Sequence, residues 1–191
     1  MVKESKFWNK KTMITALIVI LMVSSTAGFI FGRNQGATTK YNGYKFTYQN
    51  NGWTTKIDGQ QIQFHHHPSD LENITLSDDI VNVLNVPRGY LTFEAGENLQ
   101  YIDMTRFEFI TAMKKYFNTE IISGTLYKTD AYDFPIIDCV NVTEQIPVIK
   151  FISANETKIT INENCVIAEG EFESEFLKIA DKILYKLFGV V

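Results

Sequence analysis

One uncharged stretch near the start of the chain limits what the whole protein can be. Residues 13–31 read MITALIVILMVSSTAGFIF and contain no charged side chain. As an α-helix this stretch would be roughly 28 Å long, close to the hydrocarbon thickness of a bilayer. The sequence therefore predicts a transmembrane signal-anchor helix over residues 12–32, a linker over residues 33–43 and one domain over residues 44–191.

The charges around this stretch predict its direction in the membrane. Four lysines and one glutamate lie in residues 1–11. Basic flanks stay on the cytoplasmic side, so residues 1–11 are predicted to be cytoplasmic and the main domain extracytoplasmic. The alternative is a signal peptide cleaved after Ser25-Thr26-Ala27. Because the apolar run continues to Phe31, the sequence favours a retained anchor in a single-pass cell-membrane protein.

The charge of the main domain excludes one class of partner. The net charge of the 191-residue chain is −4, and four of its 18 basic residues precede the apolar stretch. Proteins that bind nucleic acid need clustered Lys and Arg to meet the phosphates. The acidic balance beyond the stretch therefore argues against a nucleic-acid partner.

Export to an oxidising compartment predicts the state of two cysteines. Cys139 and Cys165 are the only cysteines, so one disulfide between them is expected, with two buried free thiols as the alternative. Export also gives meaning to N-x-[ST] sequons. Asn73, Asn141 and Asn155 are candidate glycosylation sites.

Alternating apolar residues predict the first part of the fold. Residues 44–49, 53–57 and 61–66 alternate with period two, and Asn-Asn-Gly and Asp-Gly turns separate them. This pattern is typical of a three-stranded antiparallel meander.

Two helical patterns and several further strand patterns complete the domain. Apolar residues recur at helical spacing over residues 99–117 and again over residues 171–188. The strand-like runs are YLTFEA, TEIISGTLYK, FPIIDCVN, PVIKFIS, KITINEN and CVIAEG. We therefore predict an α+β domain of two layers, a mostly antiparallel sheet covered by two main helices.

Three stretches share a pattern with a known group of proteins. They hold an N-G-x-x-F…G-W meander that leads into an aromatic-or-His-x-Pro-Ser motif and a cysteine before an N-x-T-x-x-x-P-V-I strand. A second cysteine opens a strand before a final helix of D-x-x-x-Y-x-x-x-G type. The residues are Asn42, Gly43, Phe46, Gly52, Trp53, Pro68, Ser69, Cys139, Asn141, Pro147, Val148, Cys165, Asp181, Tyr185 and Gly189. In these features the chain resembles a loose group of uncharacterised archaeal membrane-anchored proteins. The resemblance implies an N-terminal membrane segment and an exported α+β domain with two cysteines, but no activity.

All three histidines of the chain are consecutive, which raises the question of a metal site. On a strand, His65 and His67 would share one face, about 7 Å apart, and Asp70 would add a carboxylate. Zinc sites use three or four protein ligands, and no distant histidine completes this set. The sequence therefore favours an ordinary strand end before a proline turn, and it predicts no cofactor.

The remaining motifs favour binding over catalysis. The chain has no G-x-S-x-G, no nucleotide-binding glycine loop and no C-x-x-C. Aromatic residues alternate along residues 41–53, so one face is expected to pack on the core with Tyr41, Tyr44 or Tyr48 on the other. Such a row predicts either an exposed contact surface or cross-strand packing. We predict a non-enzymatic extracytoplasmic module that binds an envelope protein or itself. The alternatives are a metal-assisted envelope hydrolase using His65 and His67, and a thiol-handling or chaperone-like factor.

Overall fold

The structure is a computed structural model that describes the backbone of residues 10–32, 36–95 and 99–191. The chain divides into two compact units, residues 1–38 and residues 39–191. Residues 1–9, on the predicted cytoplasmic side, lie outside the described part.

The first unit contains one long helix. Helix α1 spans Lys10–Gly32, and its side chains are described from residue 13 to residue 25. The large apolar side chains between Met13 and Val23 are 49–68% exposed. Among the described residues, none of the helices combines the length and apolar character that a bilayer crossing needs.

In its described residues the second unit is an α+β domain with two sheets and three α-helices. The helices are α2 (Ile80–Leu84), α3 (Leu99–Phe117) and α4 (Glu175–Leu187). The strands are β1 (Thr38–Tyr41), β2 (Tyr44–Gln49), β3 (Gly52–Ile57), β4 (Gln60–Phe64), β5 (Arg88–Phe93), β6 (Glu120–Thr125), β7 (Val148–Ser153), β8 (Lys158–Asn162) and β9 (Cys165–Gly170). The predicted α+β class is confirmed.

The first sheet has the order β1-β2-β3-β4, and β2, β3 and β4 form the predicted antiparallel meander. Asp58 and Gly59 join β3 to β4 with positive φ angles of 48° and 82°. Such two-residue turns match the twist of the two strands. Strand β1 lies within residues 33–43, the stretch predicted to be a linker.

The second sheet corrects the predicted architecture. Its order is β6-β5-β7-β9-β8, and all neighbours are parallel except β8 and β9. The prediction of one mostly antiparallel sheet was therefore wrong. Parallel neighbours are joined by crossover connections, and α3 forms the crossover between β5 and β6. Strands β7 and β9 carry buried residues on both faces, as parallel strands inside a sheet do.

The helices cover their predicted stretches with one difference. α3 has the predicted bounds, whereas α4 begins at Glu175, four residues later than the sequence pattern indicated.

The run FPIIDCVN is not a strand. It contributes one bridge from Ile136 to Thr125 and a 3₁₀ turn at Cys139–Asn141.

Candidate functional site

The histidine segment joins β4 to the helices through a buried carboxylate. Asp181 of α4 is 5% exposed, and its Oδ2 accepts hydrogen bonds from the backbone N–H groups of His65 (3.1 Å) and His66 (2.9 Å). His66 Nδ1 lies 2.9 Å from the same oxygen, and the Tyr185 hydroxyl donates to the His66 carbonyl at 2.8 Å. Burial raises the pKa of Asp181, and the hydrogen bonds from His66 oppose that rise. This cluster fixes where β4 ends.

His67 has a structural role inside an aromatic cluster. Its ring lies 6.0, 5.1 and 4.7 Å from the rings of Tyr41, Phe46 and Trp53, between centroids, and the residue is 6% exposed. Its Nδ1 accepts a hydrogen bond from the backbone N–H of Ser69 and lies 2.7 Å from the Ser69 hydroxyl. The His67 side chain thereby caps the 3₁₀ turn at Pro68–Leu71. Because Nδ1 is an acceptor, the proton of the neutral ring belongs on Nε2. Burial lowers the pKa of His67.

His65 faces a different neighbour. Its Nε2 lies 2.6 Å from Glu108 Oε2 of α3, and both side chains are partly exposed. The hydrogen bond to Glu108 raises the pKa of His65. This pair ties the end of β4 to the middle of α3.

The candidate metal set finds no support in this geometry. The ring nitrogens of His65 and His67 contact Glu108 and Ser69 respectively, and Asp70 accepts from the Ser69 hydroxyl at 3.3 Å. Within the described ranges, no group of three or more His, Cys, Asp or Glu side chains is placed to hold a metal ion. The described contacts of the three histidines join the end of β4 to Glu108, to Asp181 and to the aromatic cluster.

The tyrosine run packs across strands. Tyr41 and Tyr44 are half-buried against the core, and Tyr48 is 41% exposed with its ring 5.3 Å from that of Trp53. These contacts favour cross-strand packing over an exposed tyrosine surface.

A groove lies between β4 and α3, which we call the β4–α3 groove. Its volume is about 420 Å³, and Phe107 on its rim is 70% exposed. The lining residues are Gln61, Gln63, Phe64 and His65 on one side and Phe107, Glu108, Thr111, Ala112, Lys115 and Tyr116 on the other. This groove was not predicted from the sequence. The available signal was Phe107 itself, an aromatic residue outside the apolar stripe of its helix.

The two walls of the groove run in opposite directions. His65, just after β4, contacts Glu108, whereas Gln60 at the start of β4 lines a smaller cavity with Tyr116, two turns further along α3. The groove therefore follows the edge of β4 from Gln61 to His65.

The edge of β4 is less protected than the other sheet edges. In the part of the chain that the structure describes, the edge strands are β1, β4, β6 and β8. Charged residues or prolines usually protect such edges from other chains. Lys40, Glu120 and Lys158 lie on the other three, whereas β4 reads QQIQF, with no charge and no proline.

The turn before β4 also defines which backbone groups face the groove. In a two-residue hairpin the residues beside the turn, here Ile57 and Gln60, form a hydrogen-bonded pair, and such pairs alternate along the strands. The N–H and C=O groups of Gln61 and Gln63 therefore point away from β3. They lie at a sheet edge on which no further strand of the described residues is paired.

The predicted disulfide is present, and the sequons are on the surface. Cys139 and Cys165 are bonded, with their Cα atoms 5.5 Å apart, which links the 3₁₀ turn to the start of β9. Asn73, Asn141 and Asn155 are all exposed. Asn141 also accepts the backbone N–H of Asp138 through its side-chain oxygen at 2.9 Å, so this sequon lies in an ordered cap.

Comparisons with protein-family models, curated proteins and solved structures found no match. The resemblance to archaeal membrane-anchored proteins thus stays a prediction.

Proposed function

We propose that this chain is a membrane-tethered binding module without enzymatic activity. Its N-terminal segment over residues 12–32 is the anchor, and the α+β domain lies outside the cytoplasm, where it assembles with another protein chain at the cell envelope. The uncharged stretch and the lysines before it support the anchor and its direction. The Cys139–Cys165 disulfide is consistent with an oxidising compartment.

The β4–α3 groove is the observation that carries the binding role. An open strand edge beside a helix offers backbone hydrogen bonds to an extended segment and a side-chain surface next to them. Phe107, at 70% exposed, supplies an apolar contact of the kind that is enriched at interfaces. The contacts of the histidines with Glu108, Asp181 and Ser69 support a structural role for these side chains.

Photo-crosslinking in native membranes tests the binding role. Benzoylphenylalanine at Phe107 should give adducts with a second protein chain upon irradiation. The matched control is the same group at Phe172, which is 63% exposed and does not line the groove. Absence of adducts at Phe107, or equal adducts at both positions, would contradict the role of the groove.

Topology is tested separately. The chain should stay with the membrane in alkaline carbonate, and a protease added outside intact cells should cleave residues 39–191. Its two cysteines should resist alkylation until a reductant is added. A chain released by carbonate, or protected from external protease, would remove the anchored and exported part of the proposal.

A further inference from the structure

We propose that the partner in the β4–α3 groove is a second copy of this chain. The two β4 strands pair antiparallel, and the two α3 helices lie side by side beneath them, related by a two-fold axis. This inference rests on the proposed function and names the partner of the same groove.

The strand edge is self-complementary. With Ile62 on the two-fold axis, Gln61 of one chain lies opposite Gln63 of the second copy. Both residues have their N–H and C=O groups directed out of the sheet, so the two strands can exchange backbone hydrogen bonds. Because β4 has no charged residue, no like charges oppose each other across this pairing.

The helix wall of the groove has the same symmetry. When two α3 helices lie antiparallel about the middle of this wall, Glu108 meets Lys115 of the second copy and Phe107 meets Tyr116. Each contact occurs twice, once on either side of the axis. The wall therefore presents an acid to a base and an aromatic ring to an aromatic ring.

One axis serves both the strand and the helix. Because α3 runs opposite to β4 with Glu108 beside His65, the middle of the strand at Ile62 is level with Thr111 and Ala112, midway along the wall. These small side chains allow two helices to approach closely. A partner of unrelated sequence has no reason to share this symmetry.

Charge complementarity supports the second copy. In the described part of the chain no carboxylate lies within salt-bridge distance of Lys115, whose Nζ lies 4.7 Å from the ring centroid of Tyr116. Glu108 has the partly exposed His65 as its neighbour. The two-fold arrangement gives Lys115 a carboxylate on the other chain.

Charge-swapped variants of the full chain in mild detergent micelles test the proposal by sedimentation over a range of protein concentrations. Lys115→Glu places two glutamates opposite Glu108 residues, and it should raise the dimer dissociation constant by about tenfold or more. Glu108→Lys should do the same. The double swap E108K/K115E restores both pairs with reversed sign and should bring the constant back to within about threefold of wild type. The matched control, Lys114→Glu, changes the charge equally outside the groove and should leave the constant unchanged.

Each other outcome contradicts the second-copy assignment. A chain that is monomeric at all concentrations has no such dimer. A dimer that is insensitive to the swaps is formed elsewhere, for example through α1. If Phe107 crosslinks in membranes only to a different protein, the binding role of the groove stands while the second-copy assignment fails.

Discussion

The Asp181 carboxylate and His66 are joined by two hydrogen bonds to one oxygen, from the backbone N–H and from Nδ1 of the histidine, both at 2.9 Å. A third bond to this oxygen comes from the backbone of His65. A single buried side chain of α4 thus terminates β4 and directs the chain into the 3₁₀ turn that follows. The open strand edge depends on this contact for its position.

The first prediction concerns Asp181→Ala. The change leaves two part-buried backbone N–H groups and one imidazole without their acceptor, and each such loss costs about 1–3 kcal/mol. Because burial disfavours the carboxylate itself, we expect a net loss of about 3 kcal/mol in the free energy of unfolding. Urea titration followed by tryptophan fluorescence measures it. Asp70→Ala, on an exposed residue, should cost less than about 1 kcal/mol, and equal losses for the two variants would contradict the role given to Asp181.

The second prediction concerns the pH dependence that His67 contributes. Burial lowers its pKa, so the unfolded chain binds a proton near pH 6.5 while the folded chain does not. Its contribution to stability is therefore present above 6.5 and is lost as the pH falls toward the lowered value. His67→Phe keeps an aromatic ring but removes the titration. As the pH falls from about 7.5 to about 5.5, the free energy of unfolding of the wild type should decrease relative to that of this variant. A difference between the two proteins that stays constant over this range would contradict the prediction.

The third prediction has the opposite sign. The hydrogen bond to Glu108 raises the pKa of His65, so this pair contributes fully below pH 6.5, and its contribution is lost as the pH rises through the raised folded value. Glu108→Gln removes the carboxylate. The stability advantage of wild type over this variant should be larger at about pH 5.5 than at about pH 8. An advantage that grows with pH would show that the pair does not act in this way.

The fourth prediction concerns the disulfide between Cys139 and Cys165, which are 26 residues apart in sequence. In the chain-entropy model a loop of this size stabilises the fold by about 3–4 kcal/mol. The double variant C139S/C165S should lose about that much in urea titration. A loss below about 1 kcal/mol would mean that the bond adds little to the packing around Cys165, which is 2% exposed.

Local patterns in the sequence predicted several elements correctly. Period-two alternation gave β2, β3 and β4, and the Asn-Asn-Gly and Asp-Gly turns between them have the positive φ angles that such sequences favour. Helical spacing gave α3 with its observed bounds. These signals are local, because each depends on residues that lie only a few positions apart in the sequence.

The order of the second sheet was beyond such signals. Periodicity identifies a strand but does not say which strand lies beside it, and β5 pairs with β7 across more than 50 residues. The run around Ile136 has strand composition, but it forms one isolated bridge in place of a ladder: the Ile137 N–H donates to the Thr125 carbonyl, and the Thr125 N–H donates to the Pro135 carbonyl. Strand propensity alone could not show that this run forms a single bridge and not a full strand.

The contacts of the three histidines could not be predicted from the sequence for the same reason, because their partners are distant in the chain. Glu108 is 43 residues from His65 and Asp181 is 115 residues from His66, so neither partner of the histidines was visible in the sequence. Three consecutive imidazoles suggested a shared ligand. The fold instead directs their side chains to a carboxylate of α3, a carboxylate of α4 and an aromatic cluster.

Amide hydrogen exchange at the edge of β4 tests most directly whether a second copy of the chain covers this strand. The peptide covering residues 60–64 contains the Gln61 and Gln63 amides, which face the groove. If a second copy covers this edge, these amides should exchange more slowly in the wild-type chain than in Lys115→Glu at the same protein concentration, and Lys114→Glu should match the wild type. Equal exchange in all three proteins would mean that the contact of Lys115 with a second copy does not control how far the edge of β4 is covered, and it would contradict the second-copy assignment.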